Sequence, residues 1–247
     1  MAPISFITVI KNRTHFTVDH EGQTLTLHLF ETNLTALLSL VRPADRWEFV
    51  IVDFASDDVN MAEWTSTLPQ KPNVTFNVVT VNAPFNKGHG LNLGKQAATH
   101  SVVFFLDADM LIRSRRIFED IERHVVKARK VLFPICWSYS NPDHTEGWKR
   151  IWGVGNVVQH KDTVLPYVEK DSWGNEDYLN FAQFCLKGQV IRTYYGEDFI
   201  HQWHPNDAGF KNRFYAQTGV GKQIDTLTNV MTPQQIMVVN ALLAHHV

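Results

Sequence analysis

Runs of consecutive apolar residues, rich in β-branched and aromatic side chains, recur along the 247-residue chain. The most continuous is residues 102–106, Val-Val-Phe-Phe-Leu, a pattern typical of a strand covered on both faces of a parallel sheet. The same pattern predicts strands over three earlier segments, residues 4–10, 47–53 and 74–81. We therefore expect a mostly parallel sheet at the centre of the molecule.

Helical spacing of apolar residues alternates with these strands. Residues 33–41 place their leucines on one face and end before Pro43, which favours an amphipathic helix. Residues 86–98 are predicted to begin as a glycine-bearing loop and to pass into a second helix, and residues 114–130 have the pattern of a charged third helix. Alternating strands and helices predict an α/β fold, with helices flanking the central sheet.

The remaining segments are less regular. Residues 17–30 favour a small hairpin turned at Glu21-Gly22, with alternating leucines that include Leu29. The acidic loop after the 47–53 strand offers an N-cap for whatever element follows it. Further strands are predicted over 131–135, 153–158 and 189–195, a helix over 178–187 ended by Gly188, a mobile stretch over 206–222, and a last helix that opens at Thr232-Pro233-Gln234-Gln235.

Composition adds few constraints. The hydrophobic fraction of 44% and charged fraction of 19% are ordinary for a soluble protein, and the net charge of −2 gives no reason to expect nucleic acid as a partner. No apolar run approaches the roughly 20 residues of a membrane span, and the N-terminus lacks a signal-peptide pattern, so we expect a cytoplasmic protein. Cys136 and Cys185 are predicted to be buried free thiols. The sequence assigns no oligomeric state.

Two carboxylates follow the most apolar strand directly. Asp107 and Asp109 lie two residues apart just after residues 102–106. The carboxyl end of a central strand is where open α/β sheets bind ligands, and paired carboxylates there suit Mg²⁺ or Mn²⁺ shared with substrate phosphates. The alternative is that the pair merely ends a strand and caps the next helix.

Two other segments are expected to converge on the same edge of the sheet. Asp53 ends its own strand, and the glycine-bearing loop of residues 86–94 carries Lys87. Asp53 can accept a hydrogen bond from a base or a ribose, while Lys87 and the glycine backbone can approach a phosphate. The spacing is neither that of a P-loop nor Gly-x-Gly-x-x-Gly, so the pattern indicates neither an NTPase nor a Rossmann dinucleotide site.

Five segments, in the same order, resemble those of GT-A fold glycosyltransferases, especially the family 2 type inverting enzymes. The likeness covers roughly residues 4–205. The fourth segment is similar to the Trp-Gly-x-Glu-Asp acceptor motif of galactosyltransferase and chondroitin-polymerase relatives, and the fifth to their metal-binding histidine segment. The segments are the strand ending in Asp53 with Ser56-Asp57-Asp58, Asn86-Lys87-Gly88 to Leu91-Asn92-Leu93-Gly94, Phe105-Leu106-Asp107-Ala108-Asp109, Trp173-Gly174-Asn175-Glu176-Asp177, and Ile200-His201-Gln202-Trp203-His204-Pro205.

The resemblance implies a nucleotide-sugar donor, with UDP favoured by analogy, held by a divalent Mn²⁺ or Mg²⁺ ion. It implies one domain with a nucleotide-sugar half over 1–110, an acceptor half over 111–205, and a mobile loop and helix over 206–247. The acceptor would be a hydroxyl of a glycan or another molecule.

The resemblance also implies roles for individual residues. Asp109 would bind the metal, completed by His204 or, less readily, by His201. Asp177 would be the catalytic base, with Glu176 beside it binding the acceptor. The resemblance further implies that Asp53 contacts the nucleoside base and Asp107 the ribose, and that Trp173 and Gly174 contact the acceptor. The other implied donor contacts are Asn86, Lys87, Gly88, Asn92 and Ala108.

Three other interpretations stay open at this stage. The acidic residues Glu176 and Asp177 would also be favoured in the first turn of any helix by the helix dipole. A phosphohydrolase of the haloacid-dehalogenase type uses a strand-terminal Asp-x-Asp, although usually near the N-terminus and followed by Thr or Val rather than Met110-Leu111. A non-catalytic binding module on the same fold is the third.

Asn175 stands where galactosyltransferase relatives usually have Gly, so the acceptor loop is expected to differ.

Overall fold

The computed structural model describes residues 1–151, 153–169 and 176–205, which form twelve strands and five α-helices. The strands are β1 (Ile4–Ile10), β2 (Phe16–His20), β3 (Gln23–Leu27), β4 (Trp47–Asp53), β5 (Val74–Thr80), β6 (Val102–Phe105), β7 (Met110–Ile112), β8 (Val131–Tyr139), β9 (Gly147–Arg150), β10 (Val157–His160), β11 (Val190–Tyr194) and β12 (Phe199–His201). The helices are α1 (Leu29–Leu40), α2 (Met61–Thr67), α3 (Lys87–Ala97), α4 (Arg116–Asp120), which continues as the π-helical segment Ile121–Lys127, and α5 (Glu176–Leu186).

The first half of the central sheet is parallel, in the order β5-β4-β1-β6. β1 pairs with β4 along its whole length, so that Ile10 lies opposite Asp53, and it pairs with β6 on its other side. All seven residues of β4 are buried, as expected for a strand covered on both faces. Because the strands run in one direction, β4, β1 and β6 end at the same edge of the sheet.

The second half of the sheet is mixed. β10 runs antiparallel between β6 and β8, and β8 pairs in addition with β9, β11 and β12. β12 returns antiparallel to β7, with His201 opposite Met110. The end of the described chain is therefore brought beside the turn that follows β6.

Alternating side chains of the strands build one apolar cluster on each face of the sheet. Phe104 belongs to one cluster and Phe105 to the other. On the first face, Phe6 stacks on Phe49 with ring centroids 5.0 Å apart and meets the ring of Trp47 edge-on at 5.1 Å. This aromatic packing fixes the central strands relative to one another.

The segment predicted as a glycine-bearing loop is helical from Lys87 onward. Asn86 caps the helix by accepting a hydrogen bond from the backbone N–H of His89 at 2.9 Å. A Cβ on Gly90 would lie 2.5 Å from Val9, and one on Gly94 would overlap Ile7. The glycines therefore let α3 pack closely on β1 instead of opening a loop.

Other boundaries also differ from the sequence-based expectations. α1 begins at Leu29, which is therefore not part of the hairpin, whereas the predicted turn at Glu21-Gly22 is confirmed between β2 and β3. The N-cap of α2 is Asn60, outside the acidic loop. The helix α2 and the strands β7, β9 and β12 were not predicted. Both cysteines are buried and free, as predicted. The mobile loop and last helix expected over 206–247 lie outside the described residues.

Among the helices of the described residues, none is both long enough and apolar enough to cross a bilayer.

A buried ion pair joins the loop before β4 to the start of α4. Asp45 accepts hydrogen bonds from Arg115 at 2.7 and 3.1 Å and from the backbone N–H of Arg42 at 2.8 Å. The two side chains are 3% and 15% exposed. Burial has the largest single effect and raises the pKa of Asp45, but the hydrogen bonds from Arg115 and from the backbone of Arg42, together with the charge of Arg115, outweigh it, and the pKa lies below its ordinary value of 3.8. The ionised carboxylate therefore stabilises the folded state above about pH 4, and this contribution is lost as the pH falls through the folded pKa.

We expect Asp45→Ala to lower the free energy of unfolding by about 3–5 kcal/mol at pH 7, because it leaves the Arg115 guanidinium buried without its counter-ion. Urea unfolding measures this change. The control is Asp162→Ala, which removes the partner of Arg129 at 2.7 Å in a largely exposed pair and should cost less than about 1 kcal/mol. Equal effects of the two substitutions would contradict the assignment of Asp45 as a buried anchor.

Candidate functional site

The turn between β6 and β7 holds the two carboxylates in fixed positions. The backbone N–H of Asp107 donates to Asn156 Oδ1 at 2.8 Å, and its carbonyl accepts from Asn33 Nδ2 at 3.3 Å. Met110 N donates to the same carbonyl at 3.2 Å and closes the turn. Asp107 and Asp109 are thereby directed to different partners.

Asp109 meets two histidines from the end of the described chain. Its Oδ2 lies 3.2 Å from His204 Nε2 and 3.5 Å from His201 Nε2. The three possible ligand atoms lie within 4.8 Å of one another. This is the set of residues that the sequence predicted as metal ligands, and the structure brings all three together.

The surrounding backbone explains why these side chains meet. Pairing of β12 with β7 places His201 opposite Met110, and the N–H of Gln202 donates to the carbonyl of Asp109 at 2.9 Å. His201 Nδ1 lies 3.1 Å from Ser138 Oγ on β8. A hydrogen bond at Nδ1 orients the ring and leaves Nε2 toward Asp109, as second-shell partners do in metal sites.

The ionisation states in this cluster fit a divalent cation. Burial by itself raises the pKa of Asp109, but the charges and hydrogen bonds of His201 and His204 outweigh it and hold the pKa well below its ordinary value. Burial lowers the pKa of His201. The ionised carboxylate is the form in which Asp binds metals. A divalent cation there would take over the role of the imidazolium charges, since His binds metals as the neutral imidazole.

One oxygen of the cluster has no partner. Asp109 Oδ1 is buried and accepts no hydrogen bond from any residue that the structure describes. Buried polar atoms in proteins are nearly always satisfied, so this oxygen indicates a missing cationic or hydrogen-bonding group. The residues present therefore fit a bound divalent ion.

Asp107 belongs to a second charged group. The ammonium of Lys87, at the start of α3, lies 3.0 Å from Asp107 Oδ1 and 3.2 Å from Asp177 Oδ2, on the first turn of α5. Gly155 leaves room for all three, because a Cβ there would lie 2.9 Å from Asp177 Oδ2, 3.0 Å from Asp107 Oδ2 and 3.3 Å from Lys87 Nζ. The predicted donor-side residue and the predicted base thus share one buried cation.

Asp53 lies at the same edge of the sheet, two strands from β6. It is buried, and its Oδ1 accepts a hydrogen bond from the N–H of Ser56 at 3.0 Å, which closes the turn after β4. Its predicted contact with a nucleoside base stays a prediction.

Three other residues predicted on the donor side have structural partners within the protein. Asn86 caps α3, and Asn92 exchanges two hydrogen bonds of 2.9 Å with the backbone of Tyr167. Gly88 permits the close approach of the backbone carbonyl of Val168. These contacts tie α3 to the segment that follows β10, and the predicted donor contacts of these residues stay untested, as does that of Ala108, which is buried between the two acidic residues.

The acceptor motif is described only in part. Trp173 and Gly174 lie outside the described residues, and so does the side chain of Glu176, the first residue of α5. Asp177 is described and is the only member of the predicted motif whose side chain can be located in the described part of the chain.

Sequence reasoning missed Asn156, Ser138 and the special role of Gly155. Each is a single small residue outside any motif, and its partner in the site lies on another element. Gly155 falls within the strand predicted over 153–158, but that strand begins only at Val157, so the prediction did not set this glycine apart.

No protein-family model matches the chain. Over 156 aligned residues, which cover 52% of this chain, the sequence is 28% identical to human (Homo sapiens) chondroitin sulfate N-acetylgalactosaminyltransferase 2 and 27% identical to its mouse (Mus musculus) counterpart. The aligned stretch spans 28% of the length of each of these relatives.

Two solved structures illustrate the likeness in fold. Mannosyltransferase PcManGT from Pyrobaculum calidifontis, in complex with GDP-Man and Mn²⁺, aligns with a TM-score of 0.66 and 17% identity over 97% of this chain and 69% of its own. S. aureus TarS 1–349 in complex with UDP-GlcNAc aligns with a TM-score of 0.58 and 16% identity over 83% of this chain and 59% of its own. The predicted fold is confirmed: the chain has the mixed α/β GT-A fold.

Proposed function

We propose that this protein is a metal-dependent, inverting glycosyltransferase that moves a sugar from a nucleotide-sugar donor to a hydroxyl of a glycan or another acceptor. The observation that carries this proposal is the juxtaposition of two charged groups at the carboxyl edge of a GT-A sheet. Asp109 with His201 and His204 forms the first, and Lys87 between Asp107 and Asp177 forms the second.

The donor would bind along the ends of β4 and β6. Asp53 would contact the base and Asp107 the ribose, while Asp109, His204 and His201 would hold Mn²⁺ or Mg²⁺. A divalent cation there supplies Lewis-acid neutralisation of the negative charge that develops on the departing nucleoside diphosphate. The similar structures with UDP-GlcNAc and GDP-Man support a nucleotide-sugar donor, and the N-acetylgalactosaminyltransferase relatives favour a UDP-N-acetylhexosamine.

The acceptor would be activated by Asp177. A hydroxyl is a weak nucleophile, and a carboxylate that takes its proton during attack makes it competent. The acceptor oxygen forms a bond to the anomeric carbon, the bond from that carbon to the diphosphate oxygen breaks, and the proton passes to Asp177. With the base and the leaving group on opposite faces, one displacement inverts the configuration. Lys87 keeps the charge of Asp177 compensated within the buried site.

The first prediction concerns donor binding. At about 100 times its dissociation constant, the correct nucleotide sugar should raise the melting temperature by roughly 5–10 °C in the presence of Mn²⁺. Asp109→Ala should abolish the Mn²⁺-dependent part of this shift. A panel of UDP-GalNAc, UDP-GlcNAc and GDP-Man, each with Mn²⁺ or with EDTA, makes the measurement by differential scanning fluorimetry. If the rise in melting temperature is the same with Mn²⁺ and with EDTA, both in the unmodified protein and in Asp109→Ala, the assignment of the metal is wrong.

The second prediction separates binding from chemistry. Asp177→Asn should keep the donor-induced thermal shift and reduce kcat for transfer by about 10²–10⁴-fold, because proton abstraction is lost. Proton NMR of the product formed by the unmodified protein should show the opposite anomeric configuration to the donor. Near-native transfer by Asp177→Asn would remove it as the base, and donor binding without transfer to any acceptor would favour the non-catalytic module. Turnover of a simple phosphate ester would instead favour the phosphohydrolase.

The third prediction tests the shared cation. Gly155→Ala should displace the carboxylates of Asp107 and Asp177 by a few tenths of an ångström and reduce transfer, by less than the roughly 10²-fold that a 1 Å misplacement costs. Thermal stability should change little, because the atoms that must move are the ends of flexible side chains. The control is Gly153→Ala, where the nearest atoms to a Cβ are those of Arg150 at 3.4–3.5 Å and activity should be retained. Similar activity of the two variants would argue against this geometry.

A further inference from the structure

A second group of metal-ligating side chains lies away from the site described above. His15 Nε2 is 2.8 Å from Glu31 Oε2, and His28 Nδ1 is 3.0 Å from the same oxygen. The two imidazole rings lie 4.7 Å apart. One candidate ligand atom from each of the three residues lies within 4.8 Å of the others.

The fold builds this cluster from two elements. Phe16 pairs with Leu27 at the open end of the β2–β3 hairpin, and His15 and His28 are the next residues outward on the two strands. Glu31 follows in the first turn of α1. The carboxylate of Asp58 accepts the backbone N–H groups of Thr14 and His15 at 2.8 and 3.0 Å, which fixes the loop that presents His15.

The chemistry of the donor set points to one class of ion. Two imidazoles and one carboxylate are a zinc ligand set, whereas Mg²⁺ and Ca²⁺ prefer oxygen ligands. In a tetrahedral shell with metal–ligand bonds of about 2.0–2.1 Å, neighbouring ligand atoms lie about 3.3 Å apart. The observed distances from the histidine nitrogens to Glu31 need to open by only a few tenths of an ångström. All three side chains are partly exposed, at 34%, 48% and 40%, so an ion can enter.

We propose that His15, His28 and Glu31 form a Zn²⁺ site, with water in the fourth position, that clamps the open end of the β2–β3 hairpin onto α1. The hairpin also reaches the segment that carries His201 and His204, since the ring of His20 lies 4.8 Å from that of Trp203. Zinc at the hairpin base would therefore also restrain the strand that contacts Trp203. Zinc binding at this site does not depend on whether the protein transfers sugars, so its test is separate from the tests of the proposed function.

The test is zinc titration of the full-length Asp109→Ala protein by isothermal calorimetry, because that background weakens the other histidine cluster. One equivalent of Zn²⁺ should bind. Adding Glu31→Gln, His15→Ala or His28→Ala should weaken binding by more than about tenfold, the least that loss of a direct ligand is expected to cost. The control is His124→Ala, which removes a histidine paired with Asp120 at 3.9 Å but belonging to no three-ligand group among the described residues.

Cobalt provides a second measurement, because its visible absorption reports direct ligation and would not change if these residues only stabilised the fold. Co²⁺ in the Asp109→Ala protein should give the visible absorption of a tetrahedral site, and Glu31→Gln should abolish it while circular dichroism stays native. Absence of zinc binding in the Asp109→Ala protein would overturn the proposal. Binding that survives Glu31→Gln and His28→Ala unchanged would also overturn it and would leave the cluster as a pair of histidine–carboxylate hydrogen bonds.

Discussion

A buried ammonium group is the interaction on which the arrangement of the site depends. The side chain of Lys87 is 9% exposed, and a buried cation is costly unless it is paired. Asp107 supplies one counter-charge from the end of β6, and Asp177 supplies the other from α5, 90 residues later in the chain than Lys87. The need to compensate one charge therefore joins the parallel half of the sheet to the helix of the mixed half.

The same turn creates two different electrostatic environments only two residues apart. Asp107 faces an ammonium group, while Asp109 faces two imidazoles and keeps one oxygen without a protein donor in the described chain. The backbone of the turn is held in place, since Asn156 accepts a hydrogen bond from the N–H of Asp107 and Asn33 donates one to its carbonyl. Two chemically identical side chains thus acquire different partners. Asp107 is neutralised by a lysine, whereas Asp109 stands among groups suited to binding a cation.

The sequence predicts the parts of this structure that depend on local pattern. β1 and β4 were predicted with their observed bounds, because uninterrupted apolar runs have few other stable conformations. The start of α3 was missed because glycines lower helix propensity, and here their packing on β1 outweighs that cost. Ser138 and Asn156 could not be predicted, since their partners are 63 and 49 residues distant and only tertiary structure brings them together.

The antiparallel pairing of β12 with β7 has a consequence for the order of folding. The four parallel strands, β1, β4, β5 and β6, lie within residues 1–105 and can pair while the rest of the chain is still being synthesised. β7 can pair with β12 only after the chain has been synthesised beyond His201. Asp109 therefore meets His201 and His204 only after nearly one hundred further residues have emerged. Until then the nascent protein exposes an acidic turn without its imidazole partners, so the ion that we propose for this cluster would bind only late in maturation.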